Sequence, residues 1–339
     1  MQVAEMPGGS CRLITYEFVE AQVDQIDDSQ QRFCLTFPLD LQRILRSVAQ
    51  VGVLEPLILR RAESRYQIVC GFRRFLACKA LNRTAFPALV CRDPLSDRQA
   101  FDLALWHNVS ARRLNDVEIS RILRKLQKDL GVPQEEIIRT YLPILGLEPH
   151  ETIRRRYAGL ANLSEGLHLL IAEKNLPIQV SSLFLRFSAE DQEALLNFLH
   201  MVPSGVNRIK EMLPYLLEIR EREGISVAEF LREPELARCL DEKSGPAPQR
   251  SEKAREYIVR RRFPQLSRLK EEVNQKIRAL DLPPPVSLVF PPGGEGGKLR
   301  ASIEFPSKKE LEQEIAVLQK LLVSSELDDL LGVLSRGSP

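Results

Sequence analysis

The segment Tyr66-Gln67-Ile68-Val69-Cys70-Gly71-Phe72-Arg73-Arg74 decides the fold of the N-terminal part of this 339-residue chain. Its first residues have the alternating pattern of a strand, and the apolar spacing after the two arginines predicts a helix. A turn from strand to helix presents backbone N–H groups and the positive end of the helix, which suits an anion. Gly71 lets the backbone approach a ligand, and Arg73 and Arg74 can hold phosphate oxygens. A glycine turn with two solvated arginines is the alternative interpretation.

The composition is that of a globular, helix-rich protein of two or three domains, with 44% hydrophobic, 28% charged and 6% aromatic residues. No run of about 18 apolar residues is present, so we expect no membrane span, and residues 1–10 show no secretory signal. The six cysteines form no CxxC pair, which predicts reduced thiols in a cytoplasmic protein and no zinc site. A net charge of +2 does not by itself require nucleic acid.

The order of the patterns along the chain predicts five segments. Residues 1–11 are a loose tail, and residues 12–111 are a small domain that contains both strands and helices. Residues 112–240 are almost entirely helical in pattern, and residues 241–253 are a Gly- and Pro-containing linker. Residues 254–335 have the pattern helix, strand, strand, helix. Because a two-stranded hairpin with two helices has little core of its own, we expect this last unit to pair with a copy of itself.

A second informative stretch, residues 107–118, ends one predicted helix and opens another. The spacing predicts that Asn108 and Arg112 lie in the intervening loop. Asn115 or Asp116 can cap the following helix. An ordinary helix–loop–helix is the alternative interpretation, so the neighbouring motifs must decide.

Five boxes in the expected order resemble the ParB family of DNA-partition proteins. The boxes are Arg32 after Ser29-Gln30-Gln31, residues 47–57 with Gly52 and Pro56, Gly71-Phe72-Arg73-Arg74-Phe75-Leu76-Ala77, Asn108 with Leu114, Asn115 and Glu118, and residues 297–305 with Ser307, Glu310 and Leu311. The resemblance extends from residue 14 to residue 322.

This resemblance implies an α+β, multidomain fold. It comprises a ParB/sulfiredoxin-like α/β N-terminal domain, an all-helical middle domain with a helix-turn-helix, and a C-terminal helix-strand-strand-helix dimerisation domain. The N-terminal domain of the family binds CTP with Mg²⁺, and the dimer closes as a clamp on DNA. By resemblance, the nucleotide-binding residues are Gly71, Arg73, Arg74, Asn108 and Arg112, and Asn108 also holds Mg²⁺.

The chain departs from the family's pattern in the nucleotide-binding boxes. His107 stands where the family has an acidic residue, and Phe72 replaces the glutamate of the Gly-Glu-Arg-Arg box. Imidazole is a poor Mg²⁺ ligand, so we expect at most weak CTP hydrolysis and assign no catalytic residue. Cys70 lies close to the position of the sulfiredoxin cysteine, but Phe72 stands where that cysteine belongs. We therefore interpret Cys70 as a core residue at the end of a strand.

The helix-turn-helix implied by the resemblance falls between residues 134 and 163, as helices 134–145 and 148–163. The three consecutive arginines of the second helix point in different directions, so they cannot all face one groove. The candidates for contacts with base edges are His150, Thr152 and Arg155, and the candidates for phosphate contacts are Arg154 and Arg156. A basic amphipathic helix in a bundle is the alternative.

Together these features predict a cytoplasmic, nucleoid-associated homodimer of chromosome or plasmid partition that binds a palindromic site in double-stranded DNA. A ParA-type ATPase finds little support as a partner, because residues 1–10 lack the basic, leucine-containing segment usual in the family. Two alternatives stay open. One is a ParB-like transcription regulator without nucleotide switching. The other is an enzyme on the same N-terminal fold, a phosphotransferase or nuclease in which His107 acts as acid or base.

Overall fold

A computed structural model describes residues 14–28, 31–202, 204–241, 245–290 and 299–336. The predicted tail at residues 1–11 lies outside this described part, and so do residues 297 and 298 of the last family box. The chain divides into two compact units, one within Met1–Leu199 and Ser204–Leu213 and the other within His200–Pro203 and Pro214–Pro339. A sheet lies in the first unit near the N-terminus and the rest is mostly helical, which confirms the α+β prediction. Among the described residues, no helix has the length and apolar character needed to cross a bilayer.

The first unit is built on a mixed sheet. Its described strands are β1 (Tyr16–Gln22), β2 (Ile26–Asp27), β3 (Leu57–Ala62), β4 (Arg65–Cys70) and β5 (Ala85–Cys91). Their order across the sheet is β1-β5-β3-β4-β2. The β1/β5 and β3/β4 pairs are antiparallel, and the β3/β5 and β2/β4 pairs are parallel. The strand predicted at residues 66–70 is therefore β4, next to the central strand β3.

Both faces of the sheet are buried, because alternate residues of β3 belong to different cores. Leu57 and Leu59 pack with Phe75 in the core under helices α1 (Gln42–Val51) and α2 (Phe72–Ala80). Ile58 packs instead against the core that contains Phe101 and Leu105 of helix α3 (Asp97–Ala111). This period of two is what a strand covered on both faces requires.

The core on the second face of the sheet contains Val69 and Cys70 together with residues of α3 (Asp97–Ala111), α4 (Asp116–Arg124) and α7 (Glu151–Leu160). The other helices of this region are α5 (Gln134–Glu136), α6 (Leu142–Ile144), α8 (Glu165–Lys174), α9 (Ile178–Ser181) and α10 (Ala189–Met201). The π-helical turns Lys125–Asp129 and Ile137–Tyr141 extend α4 and join α5 to α6. The two helices expected at 134–145 and 148–163 are present, although α7 is shorter than predicted at both ends.

The second unit contains more regular structure than the sequence predicted. Its elements, with α11 beginning in the first unit's range, are α11 (Val206–Glu223), α12 (Val227–Leu231), α13 (Pro234–Leu240), α14 (Ala247–Arg262), α15 (Pro264–Ala279), β6 (Val286–Val289), β7 (Arg300–Ile303), α16 (Lys308–Leu321) and α17 (Ser325–Arg336). Helix α14 begins inside the predicted linker, and its Ser251 and Ala254 are buried, so residues 247–253 are not a linker. Helix α17 was not predicted. Its Leu330 and Val333 form a core with Val273 and Phe290.

Candidate functional site

A cavity of about 190 Å³ lies where β4 ends and α2 begins. Its walls are the turn at Gly71, the last residues of α3, and an irregular stretch of chain, residues 31–37, which we call the pocket strap. Phe33, Cys34, Leu35 and Thr36 of the strap line the cavity. The structure therefore brings together residues that are separated by up to 80 positions in the sequence.

Gly71 sets the approach of the turn to the cavity. Its φ is +99°, in the left-handed region that favours glycine, and it is the N-cap residue of α2. A Cβ atom at this position would lie 2.9 Å from Cγ of Leu57. Only glycine fits here without displacing β3, and the first residues of α2 line the cavity.

Arg73 and Arg74 both line the cavity but differ in what their guanidinium groups already bind. Arg74 donates to the carbonyl oxygens of Glu55 and, at 3.3 Å, of Pro56. It is therefore engaged in holding the entry to β3. Arg73 donates from Nη2 to the carbonyl of Asp40, while its Nε is buried with no hydrogen-bond partner. Arg73 therefore makes fewer hydrogen bonds within the protein than Arg74, and more of its donors are free to bind an anion.

Asn108 and Arg112 were expected in a loop, and this was wrong for Asn108, because α3 continues to Ala111. Asn108 is held on the helix by a 2.8 Å hydrogen bond from its Nδ2 to the carbonyl of Ala104. Arg112 is the C-cap residue, and its Nη2 lies 3.3 Å from Oδ1 of Asn108 and 3.2 Å from Oγ1 of Thr36. Both residues line the cavity.

Glu118 anchors this side of the cavity, a role that sequence reasoning did not assign. Its carboxylate accepts two hydrogen bonds from Arg112, at 2.7 and 2.8 Å, and one from the backbone N–H of Phe37 at 2.9 Å. It also accepts from the N–H of Asn115, while Asn115 caps α4 by accepting from the N–H of Glu118. This reciprocal capping box is visible in the sequence as Asn115-x-x-Glu118, but the contact with Phe37 is not.

A second anchor holds Arg32 of the strap. Asp97, in the first turn of α3, forms ion pairs with Arg32 and with Arg60 of β3, the latter at 2.5 Å. The hydrogen bond from Arg60 holds the pKa of the Asp97 carboxyl below its usual value. The arginine of the first family box is therefore fixed to the same helix that carries Asn108.

The described residues do not fit the magnesium ion that the resemblance implies. The described lining of the cavity contains no carboxylate, and no group of at least three His, Cys, Asp or Glu residues in the described part of the chain can hold a metal. Oδ1 of Asn108 already accepts from the guanidinium of Arg112, whose positive charge opposes a divalent cation there. Mg²⁺ is usually held by one or two carboxylates together with substrate phosphates. We therefore assign no metal ligand.

Of the two cysteines that line the cavity, Cys70 is a buried core residue, as predicted, and Cys34 is partly buried. Burial raises the pKa of the Cys70 thiol to about 12, and burial also raises the pKa of Cys34. Thiols with raised pKa values hold little nucleophilic thiolate at neutral pH. This argues against sulfiredoxin-like chemistry at this position.

The predicted DNA-reading helix, α7, presents its candidate residues unequally. His150 is the N-cap residue, and its Nδ1 accepts from the N–H of Thr152 at 3.1 Å. Thr152 and Arg155 are exposed, and Arg156 is half-buried beside a second cleft. The expectation that Arg154 lies on the surface was wrong. Its side chain is 9% exposed and is bound to Glu151 by two hydrogen bonds, of 2.7 and 2.8 Å.

Arg113 is a residue to which the sequence analysis assigned no role. It lines a cleft of about 700 Å³ that it shares with Ile153, Arg156 and Tyr157 of α7. Two adjacent residues therefore line different cavities: Arg112 lines the cavity at Gly71, and Arg113 lines the cleft beside α7. Helices α4 and α7 are joined by a 2.9 Å hydrogen bond from the Tyr157 hydroxyl to Asp116.

Comparisons with known proteins identify relatives of this chain. The family model for the ParB N-terminal domain matches residues 13–109. Stage 0 sporulation protein J of Bacillus subtilis is 34% identical over 137 residues, which cover 40% of this chain and 45% of that protein. The chromosome-partitioning protein Spo0J of Thermus thermophilus is 30% identical over 199 residues, which cover 55% of this chain and 71% of that protein. The chain thus matches less than half the length of the Bacillus relative.

Two solved structures of the C-terminally truncated chromosome-partitioning protein ParB from Caulobacter crescentus are also similar. The one complexed to the centromeric parS site has 20% identity and a TM-score of 0.33, and the match covers 58% of this chain and 98% of that one. The one complexed with CTP-gamma-S has 22% identity and a TM-score of 0.25, with coverage of 54% and 98%. The match to most of the Thermus protein at 30% identity establishes the relationship. This chain belongs to the ParB family of chromosome-partitioning proteins.

Proposed function

We propose that this chain is a DNA-binding protein of chromosome or plasmid partition that binds a nucleoside triphosphate, CTP by family resemblance. It binds a palindromic DNA site as a homodimer, and the bound nucleotide closes the dimer as a clamp. The observation that carries the nucleotide proposal is the cavity beside the N-terminus of α2, which is lined by Arg73, Arg74 and Arg112. Phosphate oxygens are suitable acceptors for these guanidinium groups.

The charge of the cavity supports a polyphosphate ligand. Arg73, Arg74 and Arg112 line it, whereas the described lining has no carboxylate. Glu118 offsets one of these charges through its ion pair with Arg112. A phosphotransferase or nuclease would need a carboxylate or a metal close to the phosphates, so the described lining favours binding over enzymatic turnover. We expect CTP hydrolysis to be absent or very slow.

Nucleotide binding is tested with labelled CTP, ATP, GTP and UTP and the Arg73→Ala variant. Loss of a charge-assisted hydrogen bond is worth about 1.5–3 kcal/mol, so we expect the dissociation constant for CTP to rise about 10- to 100-fold. Arg46→Ala, which removes an exposed arginine of α1, is the matched control and should bind as the wild type does. Equal affinity of Arg73→Ala and wild type for every nucleotide would refute the assigned pocket.

The proposed DNA contact is the exposed side of α7. The Arg155 side chain is 76% exposed, and the nearby Thr152 and His150 are also exposed. The Glu151 carboxylate accepts hydrogen bonds from both Arg154 and Arg155, and these bonds lower the pKa of the carboxyl to about 2. DNA phosphate would therefore compete with Glu151 for Arg155. Arg154 is proposed as a structural residue of the helix.

Chromatin precipitation with sequencing tests the DNA proposal and separates the two binding modes. A single binding site whose signal extends over the neighbouring kilobases supports a sliding clamp. Many sharp peaks without such an extension support a transcription regulator. On a DNA fragment recovered from such a peak, Arg155→Ala should bind at least tenfold more weakly. Lys174→Ala, an exposed change at the end of α8, serves as the control. Unchanged binding by Arg155→Ala would exclude α7 as the reading helix in the register proposed here.

Self-association is proposed through the C-terminal helices. Helix α16 has no buried residue, although Leu311, Ile315, Leu318 and Leu322 recur at helical spacing. Ile315 is 41% exposed and Leu322 is 72% exposed, so an apolar stripe lacks cover within the described chain. Ile315→Asp should convert dimers to monomers in sedimentation experiments, whereas Gln313→Asp on another side of α16 should not. A dimer that survives Ile315→Asp would place the interface elsewhere.

A further inference from the structure

Lys125 has an arrangement that neither the sequence patterns nor the proposed function explains. Its Nζ donates hydrogen bonds to the backbone carbonyls of Gln31 at 3.0 Å, Arg32 at 2.8 Å and Cys34 at 2.9 Å. A lysine ammonium has three donors, so all of them are directed at the pocket strap. Lys125 itself lies more than 90 residues later, in the π-helical turn that extends α4.

The strap is held by the burial of Phe33, Leu35 and Phe37 and by side-chain contacts rather than by regular secondary structure. Residues 31–37 contain no helix or strand, so most of their backbone groups lack the partners that regular structure supplies. Lys125 binds the first half of the strap. Glu118 accepts from the N–H of Phe37 and Asn115 donates to its carbonyl, so α4 also holds the last residue. One helix and its extension thus fasten both ends of the strap.

The position of the strap matters because it forms one wall of the cavity. Phe33, Cys34, Leu35 and Thr36 line it opposite the turn at Gly71. Lys125 is not among the residues that line that cavity. Its influence on a ligand in that cavity is therefore indirect, and the strap, whose carbonyls it binds, is the connection that the structure shows.

The burial of Lys125 is consistent with a fixed role. Burial lowers the pKa of its ammonium group, with Arg121 acting in the same direction and Cys34 and Asp129 opposing it. A flexible surface lysine would avoid this cost by turning into solvent. Lys128, one turn further along, is exposed and shows that the same segment also carries an ordinary lysine.

We propose that Lys125 is a positioning residue of the nucleotide pocket, which acts by clamping the carbonyls of the strap to α4. The expected effect of Lys125 on CTP affinity rests on the proposed nucleotide-binding function. The clamping of the strap by Lys125 does not depend on that function. Removing the ammonium changes none of the side chains that line the cavity but frees the wall that the strap forms.

The experiment compares the full-length variants Lys125→Met, Lys125→Arg and Lys128→Met with the wild type. Hydrogen–deuterium exchange of the peptide that contains residues 31–37 reports on the strap, and peptides from α8 report on overall stability. Binding of labelled CTP is measured on the same samples. In Lys125→Met we expect at least tenfold faster exchange in the strap, unchanged exchange in α8, and a dissociation constant for CTP raised about tenfold. Lys125→Arg, which keeps a charge and donors, should bind CTP more tightly than Lys125→Met.

Each result has a separate meaning. If strap exchange in Lys125→Met equals that of the wild type, or rises equally in α8, the clamp does not exist as proposed. If the strap loosens but CTP affinity is unchanged, Lys125 does not position the pocket. If the wild type itself binds no nucleotide, the proposed function fails, whereas the exchange data still decide the clamp. Should Lys125→Met not fold, Lys125→Gln replaces it, and Lys128→Met should match the wild type throughout.

Discussion

Arg112 and Glu118 face each other across the turn between α3 and α4 with two hydrogen bonds, Nη1–Oε2 at 2.7 Å and Nη2–Oε1 at 2.8 Å. The Glu118 side chain is 1% exposed, so the carboxylate of this ion pair is buried. The pair fixes the guanidinium that reaches Asn108 and Thr36 at the edge of the cavity. It therefore joins the candidate nucleotide site to the first turn of α4.

Glu118→Ala should destabilise the protein by about 2–3 kcal/mol, measured by urea unfolding. The change leaves Arg112 and the N–H groups of Phe37 and Asn115 without their acceptor, which is costly at a buried site. Glu135→Ala removes the exposed partner of Arg139 and should cost less than about 0.5 kcal/mol. Similar losses for the two variants would show that the Glu118 network adds little stability.

Gly71→Ala should destabilise the protein by about 2–4 kcal/mol and weaken CTP binding. The added Cβ meets Cγ of Leu57 at 2.9 Å, and the backbone has a φ of +99°. Gly131→Ala is the matched control, because its φ is +62° and nothing lies within 4 Å of the new atom, so it should cost only about 1 kcal/mol. If both substitutions cost the same, the close contact between the turn and β3 is not a constraint.

Local patterns predicted the elements of this fold well, because their signals lie within a few residues. The alternation before Gly71 gave β4, and the Asn115-x-x-Glu118 spacing marked the start of α4. The position of Arg154 was also readable, since Glu151 lies three residues earlier on the helix, within reach of an ion pair. Because Arg154 is one of three consecutive arginines, the sequence analysis interpreted it as an exposed residue that contacts phosphate.

Long-range contacts account for what the sequence did not predict. The strap has no periodic pattern, and its partners Lys125 and Glu118 lie about 80 to 95 residues later in the chain. Burial of Glu118 follows from packing against Phe37, which local spacing cannot show. Helix α17 was not predicted, although Leu327, Leu330, Leu331 and Leu334 recur at helical spacing; only its contacts with distant residues such as Val273 and Phe290 have no local signal. Sequence reasoning thus found the cavity's arginines but not what holds its wall.

CTP binding by the wild type should be independent of magnesium, with dissociation constants in Mg²⁺ and in EDTA that agree within about twofold. The physical reason is that the described lining offers no carboxylate, while arginines balance the phosphate charge. His107→Glu supplies a carboxylate beside Asn108 and should make binding weaker in EDTA and stronger when Mg²⁺ is added. His107→Gln, which adds no charge, should resemble the wild type.

Loss of CTP binding by the wild type in EDTA would contradict this prediction and would mean that Asn108 and the phosphates suffice to hold the metal. The same samples can be assayed for phosphate release. A measurable increase in CTP turnover for His107→Glu over His107→Gln would assign the slow hydrolysis of the wild type to the missing carboxylate.

Asp97→Asn should lower the thermal midpoint at neutral pH by about 2 °C, and the difference from wild type should shrink in acid. Hydrogen bonding to Arg60 lowers the pKa of Asp97 below its ordinary 3.8 in the folded state. Between the folded-state pKa of Asp97 and its ordinary pKa, the unfolded chain binds more protons at this carboxyl than the folded chain, so the stabilisation falls as pH falls. The stabilisation by Asp97 is fully present above the ordinary pKa and is lost as the pH decreases through the folded-state pKa.

The comparison requires thermal unfolding of both proteins from pH 7 down to about pH 3. Because every other acidic group is common to the two proteins, their difference isolates the carboxyl that joins Arg32 of the strap to Arg60. Asp93→Asn removes an exposed carboxylate from the segment before α3 and should leave the midpoint at neutral pH close to that of the wild type. A difference between wild type and Asp97→Asn that stays constant down to the lowest pH would mean that the Asp97 ion pairs do not contribute to folding through its charge.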